Sequence, residues 1–192
     1  MNKNILILIS IIIGFILIGG TWYFSSPKKE GLAFGTNTAL AAKFDMLSRA
    51  GNSSCSGVFN NSIDSMPNNS RLQGSCCSPM DMHRYEEQVT GLKKFIDIPE
   101  IPSDPYDIDV GLAKYLKVYY DVELTVEQQK EYDYAMANSN ENGPCCCKCW
   151  RWYVYGGLGK LLIQKYNFTG EQVTEVWNLS DGCGGAGDHA NH

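Results

Sequence analysis

The chain lacks the marks of several common functions. It has only sixteen lysines and arginines against twenty-one acidic residues, a formal charge of −5, and no basic stripe. That excludes the phosphate backbone of nucleic acid as a main partner, because nothing is present to neutralise it. Histidine is scarce at three residues. His189 and His192 stand in the glycine-rich tail, which leaves only His83 for hydrolytic chemistry of the Ser/His/Asp kind, and nothing near it forms a nucleophile elbow. No C-x-x-C-H is found, which excludes covalently attached haem of that type. Gly156-Gly157-Leu158-Gly159-Lys160 lacks the spacing and the preceding strand of a phosphate loop. Its glycines are expected instead to let a neighbouring helix approach. No stretch alternates apolar and polar residues long enough to mark a strand, and no repeat is present. No catalytic set emerges, so no enzyme assignment follows.

What the chain has in plenty is apolar residues at one end and sulfur elsewhere. Ile5 to Phe24 is free of charge, and twenty helical residues rise about 30 Å, enough to cross a bilayer core. Trp22 and Tyr23 close the run where amphipathic rings favour the interface. A cleaved signal peptide is the competing reading, but its apolar region would be about 7–15 residues before a small-residue site. Here the run is longer, and Gly19-Gly20-Thr21 makes a poor site. Residues 1–24 therefore read as a membrane anchor (5–24 transmembrane), 25–37 as a linker, 38–183 as a cysteine-rich helical domain and 184–192 as a flexible tail. The membrane partner is the chain's own anchor. Lys3 lies before the run and Lys28 and Lys29 after it, so charge leaves orientation open. Eight cysteines suit an oxidising compartment better than a reducing cytosol. N-x-S/T triplets at Asn52, Asn60, Asn68, Asn167 and Asn178 suit the same side. The expected localisation is a single-pass membrane protein with its C-terminal domain extracytoplasmic.

The domain is expected to be all-α, with four or five short helices. Thr38 to Arg49 places Leu40, Phe44 and Leu47 on one face. Ser78-Pro79-Met80-Asp81 looks like a helix start, followed by Tyr85, Val89, Leu92 and Ile96 at helical spacing. Ile108, Leu112, Tyr115, Leu116 and Tyr119 mark another helix. Capping boxes at Thr125–Gln128 and Thr169–Gln172 open two more. A long helix is expected from about Pro144 to Tyr166, with Trp150, Val154, Leu158 and Leu161 inward. Trp150, Leu158, Leu161 and Trp177 should share a core, with Tyr115 and Leu116 nearby. Gly51 to Gly74 reads as loop.

The cysteines are distributed as Cys55, Cys76-Cys77, Cys145-Cys146-Cys147-Lys148-Cys149 and Cys183. Neighbouring cysteines rarely bond to each other without strain, so distant segments must meet at sulfur. With helices starting at 79 and 144, both clusters would sit at N-termini, where partial positive charge favours thiolate. Cys145, Cys146 and Cys149 would then share roughly a 100° arc, with Cys147 sent to the core. Cys76, Cys77, Met80, Met82 and His83 crowd into eight residues. Thiolate, thioether and imidazole together suit Cu(I) ahead of zinc or an iron–sulfur cluster. The expected metal ligands are Cys76, Cys77, Met80, His83, Cys145, Cys146 and Cys149. Two alternatives use the same residues. One is a disulfide-stapled structural or receptor-like ectodomain, drawn from on the order of 100 pairings. The other is a thiol–disulfide oxidoreductase working through Cys146 and Cys149, although no βαβ pattern precedes them.

Overall fold

A computed structural model describes residues 31–184, with side chains from 38 onward. The proposed anchor and residues 185–192 of the tail, including His189 and His192, lie outside the described residues. Among the described residues no helix is long and apolar enough to cross a membrane. The chain divides into two units, Met1–Ala39 and Leu40–His192, and everything below concerns the second.

The described chain is mainly helical, as expected, but with seven helices in place of four or five: α1 Gly31–Ala50, α2 Gly57–Ser62, α3 Met82–Leu92, α4 Val110–Tyr120, α5 Val126–Asn138, α6 Trp150–Tyr166 and α7 Gly170–Ser180. Ile108, expected on a helix, lies in a strand before α4. Both capping boxes form, Thr125 with Gln128 and Thr169 with Gln172. Each satisfies two backbone donors that a helix start otherwise leaves open. Asn167, in the left-handed region at φ 55°, ends α6, and the Phe168 amide returns to the Leu162 carbonyl.

Four features depart from the sequence reading. A two-stranded antiparallel ribbon pairs β1 Arg71–Gln73 with β2 Asp107–Asp109. Three residues are too few to show a period, so only tertiary pairing reveals it. Asp107 anchors the ribbon, accepting from Arg71 Nε at 2.8 Å and pairing with Lys43 at 3.1 Å. The expected loop before it contains α2, whose N-cap Ser56 accepts from the Phe59 amide. The helix expected from Pro79 begins at Met82, because Asp81 takes the cap and accepts from the Arg84 amide. The long helix expected from Pro144 begins at Trp150, with Cys149 in the N-cap position.

α6 is the centre of the core. Trp150, Val154, Leu158, Leu161 and Leu162 are sealed from solvent along it, with Val173, Val176 and Trp177 of α7 against them. Leu116 of α4 is buried as expected, whereas Tyr115 is 46% exposed. Its neighbour on the helix takes the inward position, and Tyr115 instead stacks edge-on against Tyr119. The glycines of α6 do admit neighbours: a Cβ on Gly157 would stand 1.8 Å from the Leu116 carbonyl oxygen of α4. One on Gly159 would stand 2.6 Å from the Trp177 ring. Tyr85, Tyr106 and Leu47 form a smaller cluster with Leu40, Phe44, Met80 and Met82 around it.

Candidate metal centre

Four chain segments converge in front of the start of α6. The first is tied to β1: Asn52 and Ser53 amides donate to the Gln73 carbonyl at 2.8 and 3.0 Å. Gly51 and Gly74 touch so closely that a Cβ on Gly51 would lie 2.8 Å from the Gly74 Cα. Gly74 has φ 80°, which a side chain would strain. This close crossing lets Cys55 run beside Cys77. The second segment, Ser75 to Ser78, pairs with the fourth: the Cys76 amide donates to the Gly182 carbonyl at 3.3 Å, and the Ser78 amide to the Cys183 carbonyl at 2.9 Å. The third, Cys145 to Cys149, follows a tight turn in which the Ser139 hydroxyl accepts from the Gly143 amide at 2.7 Å. The fourth is held by buried Gln88, which donates to the Asp181 carbonyl at 2.5 Å.

The result is one cluster holding every cysteine of the chain. Sulfur–sulfur distances are 2.8 Å for Cys55–Cys77, 3.0 Å for Cys146–Cys183 and 3.3 Å for Cys145–Cys183. They are 3.7 Å for Cys145–Cys149 and 3.9 Å for both Cys76–Cys77 and Cys77–Cys146. Cys147 joins through two trios, one with Cys55 and Cys77 and one with Cys145 and Cys146, and Cys149 through a trio with Cys55 and Cys76. Within each trio all sulfurs lie within 4.8 Å of one another. None of the described cysteines is disulfide-bonded, since even 2.8 Å exceeds an S–S bond of about 2.05 Å.

The spacing fits a metal. With metal–sulfur bonds of about 2.3 Å, two ligands of a tetrahedral ion stand about 3.8 Å apart. The pairs at 3.7 and 3.9 Å already have that separation. The three closer pairs need to open by less than about 1 Å to reach it. The cluster can therefore hold a metal ion.

Of the residues expected as ligands, Cys76, Cys77, Cys145, Cys146 and Cys149 are brought together here. Met80 packs against the Leu47, Tyr85 and Tyr106 cluster. His83 is exposed on α3 and belongs to none of the candidate metal groups. Cys147 is half-buried within the cluster rather than set apart in the core, because residues 144–149 form bends instead of helix. The Cys149 amide donates to the Cys147 carbonyl at 2.8 Å across such a bend. Only Cys149 stands at a helix N-terminus, so that expectation holds for one sulfur alone. Sequence reasoning left out Cys55 and Cys183, which have no neighbouring cysteine to flag them.

It also missed Arg151. This side chain is fully buried. It donates from Nη1 to the Pro105 carbonyl at 2.6 Å and from Nη2 to the Gly74 carbonyl at 3.1 Å. Its Cζ lies 4.5 Å from the Trp150 ring centroid, and Gly182 leaves it room, since a Cβ there would fall 2.1 Å from that carbon. Its Nε and the nearby Tyr155 hydroxyl are buried without a hydrogen-bond partner. One signal could have found it. Arg151 sits on the stripe of Val154, Tyr155, Leu158 and Leu162, where a charge is out of place.

Electrostatics follow from this arrangement. Burial works against the Arg151 charge, but Tyr155, Cys76, Cys145 and Cys183 outweigh it and raise its pKa. Cys145 is held far down by the thiols around it, Cys146 and Cys149 first, then Cys183 and Cys76. Cys76 donates to Cys145, which opposes its ionisation. The neighbouring thiols of Cys149 and Cys183 favour its ionised form, and with Arg151 nearby its pKa falls to about 6. Cys149 and Cys183 are correspondingly pushed up, chiefly by the neighbouring sulfurs of Cys145 and Cys76.

A cavity of about 390 Å³ opens on this cluster, lined by Cys77, Ser78, Asn140, Glu141, Asn142, Cys146 and Cys183. No protein-family model, curated protein or solved structure matches the chain.

Proposed function

We propose that the chain is a membrane-tethered, extracytoplasmic protein that binds a soft metal, most simply Cu(I), through clustered thiolates for carriage, sensing or electron transfer. The observation that carries this reading is the meeting of all eight sulfurs in one cluster. Thiolates favour Cu(I), zinc and iron–sulfur clusters. Eight sulfurs exceed the four ligands of a single closed zinc site, and sharing sulfurs between several low-coordinate monovalent ions suits Cu(I). With His83 exposed and Met80 in an apolar cluster, the ligand set contracts to sulfur: Cys55, Cys76, Cys77, Cys145, Cys146, Cys147, Cys149 and Cys183.

The test is a titration of the full chain, purified in detergent without oxygen, with Cu(I), followed by metal analysis and a free-thiol count. Retention of several Cu(I) through a desalting step supports the reading. A chain that retains none, with its thiols free, overturns it. A second reading rests on the two shortest sulfur separations, Cys55–Cys77 and Cys146–Cys183. These pairs need the least movement to close as disulfides, and peptide mapping that finds both bonds in protein from its native compartment would favour the stapled ectodomain.

A further inference from the structure

Resting on the metal-binding reading, we infer that the centre works in two tiers: a buried quartet, Cys76, Cys145, Cys149 and Cys183, that retains metal beside Arg151, and a rim quartet, Cys55, Cys77, Cys146 and Cys147, that exchanges it with a low-molecular-weight thiol in the adjoining cavity.

Burial sets the extremes apart. Cys145, Cys149 and Cys183 are 1–2% exposed. Cys76, half-buried as Cys55 and Cys147 are, joins the inner set through its amide, which donates to the Gly182 carbonyl beside Cys183. Cys77 and Cys146 are exposed, with Cys55 and Cys147 between the extremes. Contacts hold each set together. Cys145 meets Cys149 and Cys183, while Cys55, Cys77 and Cys147 form one trio. The tiers touch where metal can cross: Cys146 meets Cys183 at 3.0 Å and Cys77 meets Cys76 at 3.9 Å, while Cys55 shares a trio with Cys76 and Cys149, and Cys145 one with Cys146 and Cys147.

Charge gives the inner tier its own character. Four thiolates around one monovalent or divalent ion leave net negative charge whichever soft metal is bound. Arg151 is the buried cation against it, and it makes no ion pair with a carboxylate among the described residues. A buried charge without a partner is costly, and the thiolates of the inner set are the groups that answer it, with net negative charge kept when an ion binds. Among the described residues no other lysine or arginine is buried.

The cavity defines the route. Its wall carries the exposed Cys77 and Cys146 together with the buried Cys183, and residues 140–142 complete it. At about 390 Å³ it falls in the range that takes a small organic ligand. A metal arriving as a Cu(I)–thiolate complex would exchange without redox change. The copper bond to the donor sulfur breaks, one to Cys77 or Cys146 forms, and the cysteine proton passes to the departing thiolate. The ion then crosses to Cys76 or Cys183, again by sulfur-for-sulfur substitution.

The experiment loads the full chain anaerobically with Cu(I)–glutathione and follows release to a bidentate Cu(I) chelator. Two phases are expected. Changing both Cys77 and Cys146 to serine should remove the fast phase and slow loading by about tenfold, while the slowly released ions remain. Arg151→Met should speed the slow phase by about tenfold and leave the fast phase alone, and Arg151→Lys should restore it. Circular dichroism identifies any variant that fails to fold; for the arginine, Arg151→Lys alone then decides, and its slow phase must match the wild type. One uniform release phase, unchanged by the rim substitutions, overturns the tiers while leaving metal binding intact. An unaltered slow phase in folded Arg151→Met overturns the role of the arginine. A wild-type chain that takes up no copper overturns the metal-binding reading itself.

Discussion

The guanidinium of Arg151 donates to the carbonyl of Gly74 at 3.1 Å, two residues before Cys76. A buried charge on the first turn of α6 thus fixes the path of a loop from a distant part of the chain. It does so beside the N-cap Cys149, so the same side chain organises two of the four cysteine segments.

Removing that side chain should therefore cost more than its volume suggests. Arg151→Ala leaves two buried carbonyls, of Pro105 and Gly74, without their donor. A loss of about 3–5 kcal/mol is expected from breaking such a buried network. Denaturant unfolding followed by tryptophan fluorescence measures it, and a loss near zero would mean that the carbonyls find other donors.

The contact between α4 and α6 predicts an intolerant glycine. Gly157→Ala places a methyl 1.8 Å from the Leu116 carbonyl oxygen, backbone that cannot rotate away. The helices must separate, at a cost of about 3 kcal/mol or more. Leu161→Ala, which empties a fully buried position on the same helix, should cost about 2–5 kcal/mol. If Gly157→Ala proved the milder change, the helices would have to be less tightly crossed than described.

Stability of the metal-free protein should depend on pH through two depressed thiols, Cys145 and Cys76. The folded pKa of Cys76, about 6, lies below the ordinary value of 9.0. A depressed thiol stabilises the fold fully above its unfolded pKa and loses that contribution as pH falls through the folded one. The unfolding midpoint should thus rise between about pH 6 and 9. Above that range the raised thiols of Cys149 and Cys183 act the other way. Cys76→Ser should make the rise shallower and leave the part due to Cys145; an equally steep rise in that variant would remove Cys76 from the account.

Cys147 separates the bend from a helical reading of residues 144–149. Because it shares trios with Cys55, Cys77, Cys145 and Cys146, Cys147→Ser should lower the copper bound, not merely the stability. Native mass spectrometry of the loaded chain counts the ions. Unchanged stoichiometry with a lower melting temperature would return Cys147 to a packing role.

Topology is checked in cells. Protease added outside intact cells should remove residues 25–192 from the membrane-held anchor, and complete protection would reverse the proposed orientation.

The sequence by itself determined the helical class, two helix starts and the core. Thr125 with Gln128 and Thr169 with Gln172 are local devices, complete within four residues, and they form as written. Trp150, Leu158, Leu161 and Trp177 are buried as their periodicity requires. The crowding of cysteine already implied that distant segments meet at sulfur. Tertiary structure alone decided how they meet. Asp81 and Cys149 took the cap positions, since the chain before each was already committed elsewhere: Ser78 to the Cys183 backbone, Cys147 to Cys55 and Cys77. Cys55 and Cys183, 128 positions apart in number (183 − 55), enter one cluster through a glycine crossing and a backbone pairing that leave no local signature. Arg151 follows the same rule. Its spacing places it on the inward stripe, but only the folded loops bring the carbonyls and sulfurs that let a charge remain there.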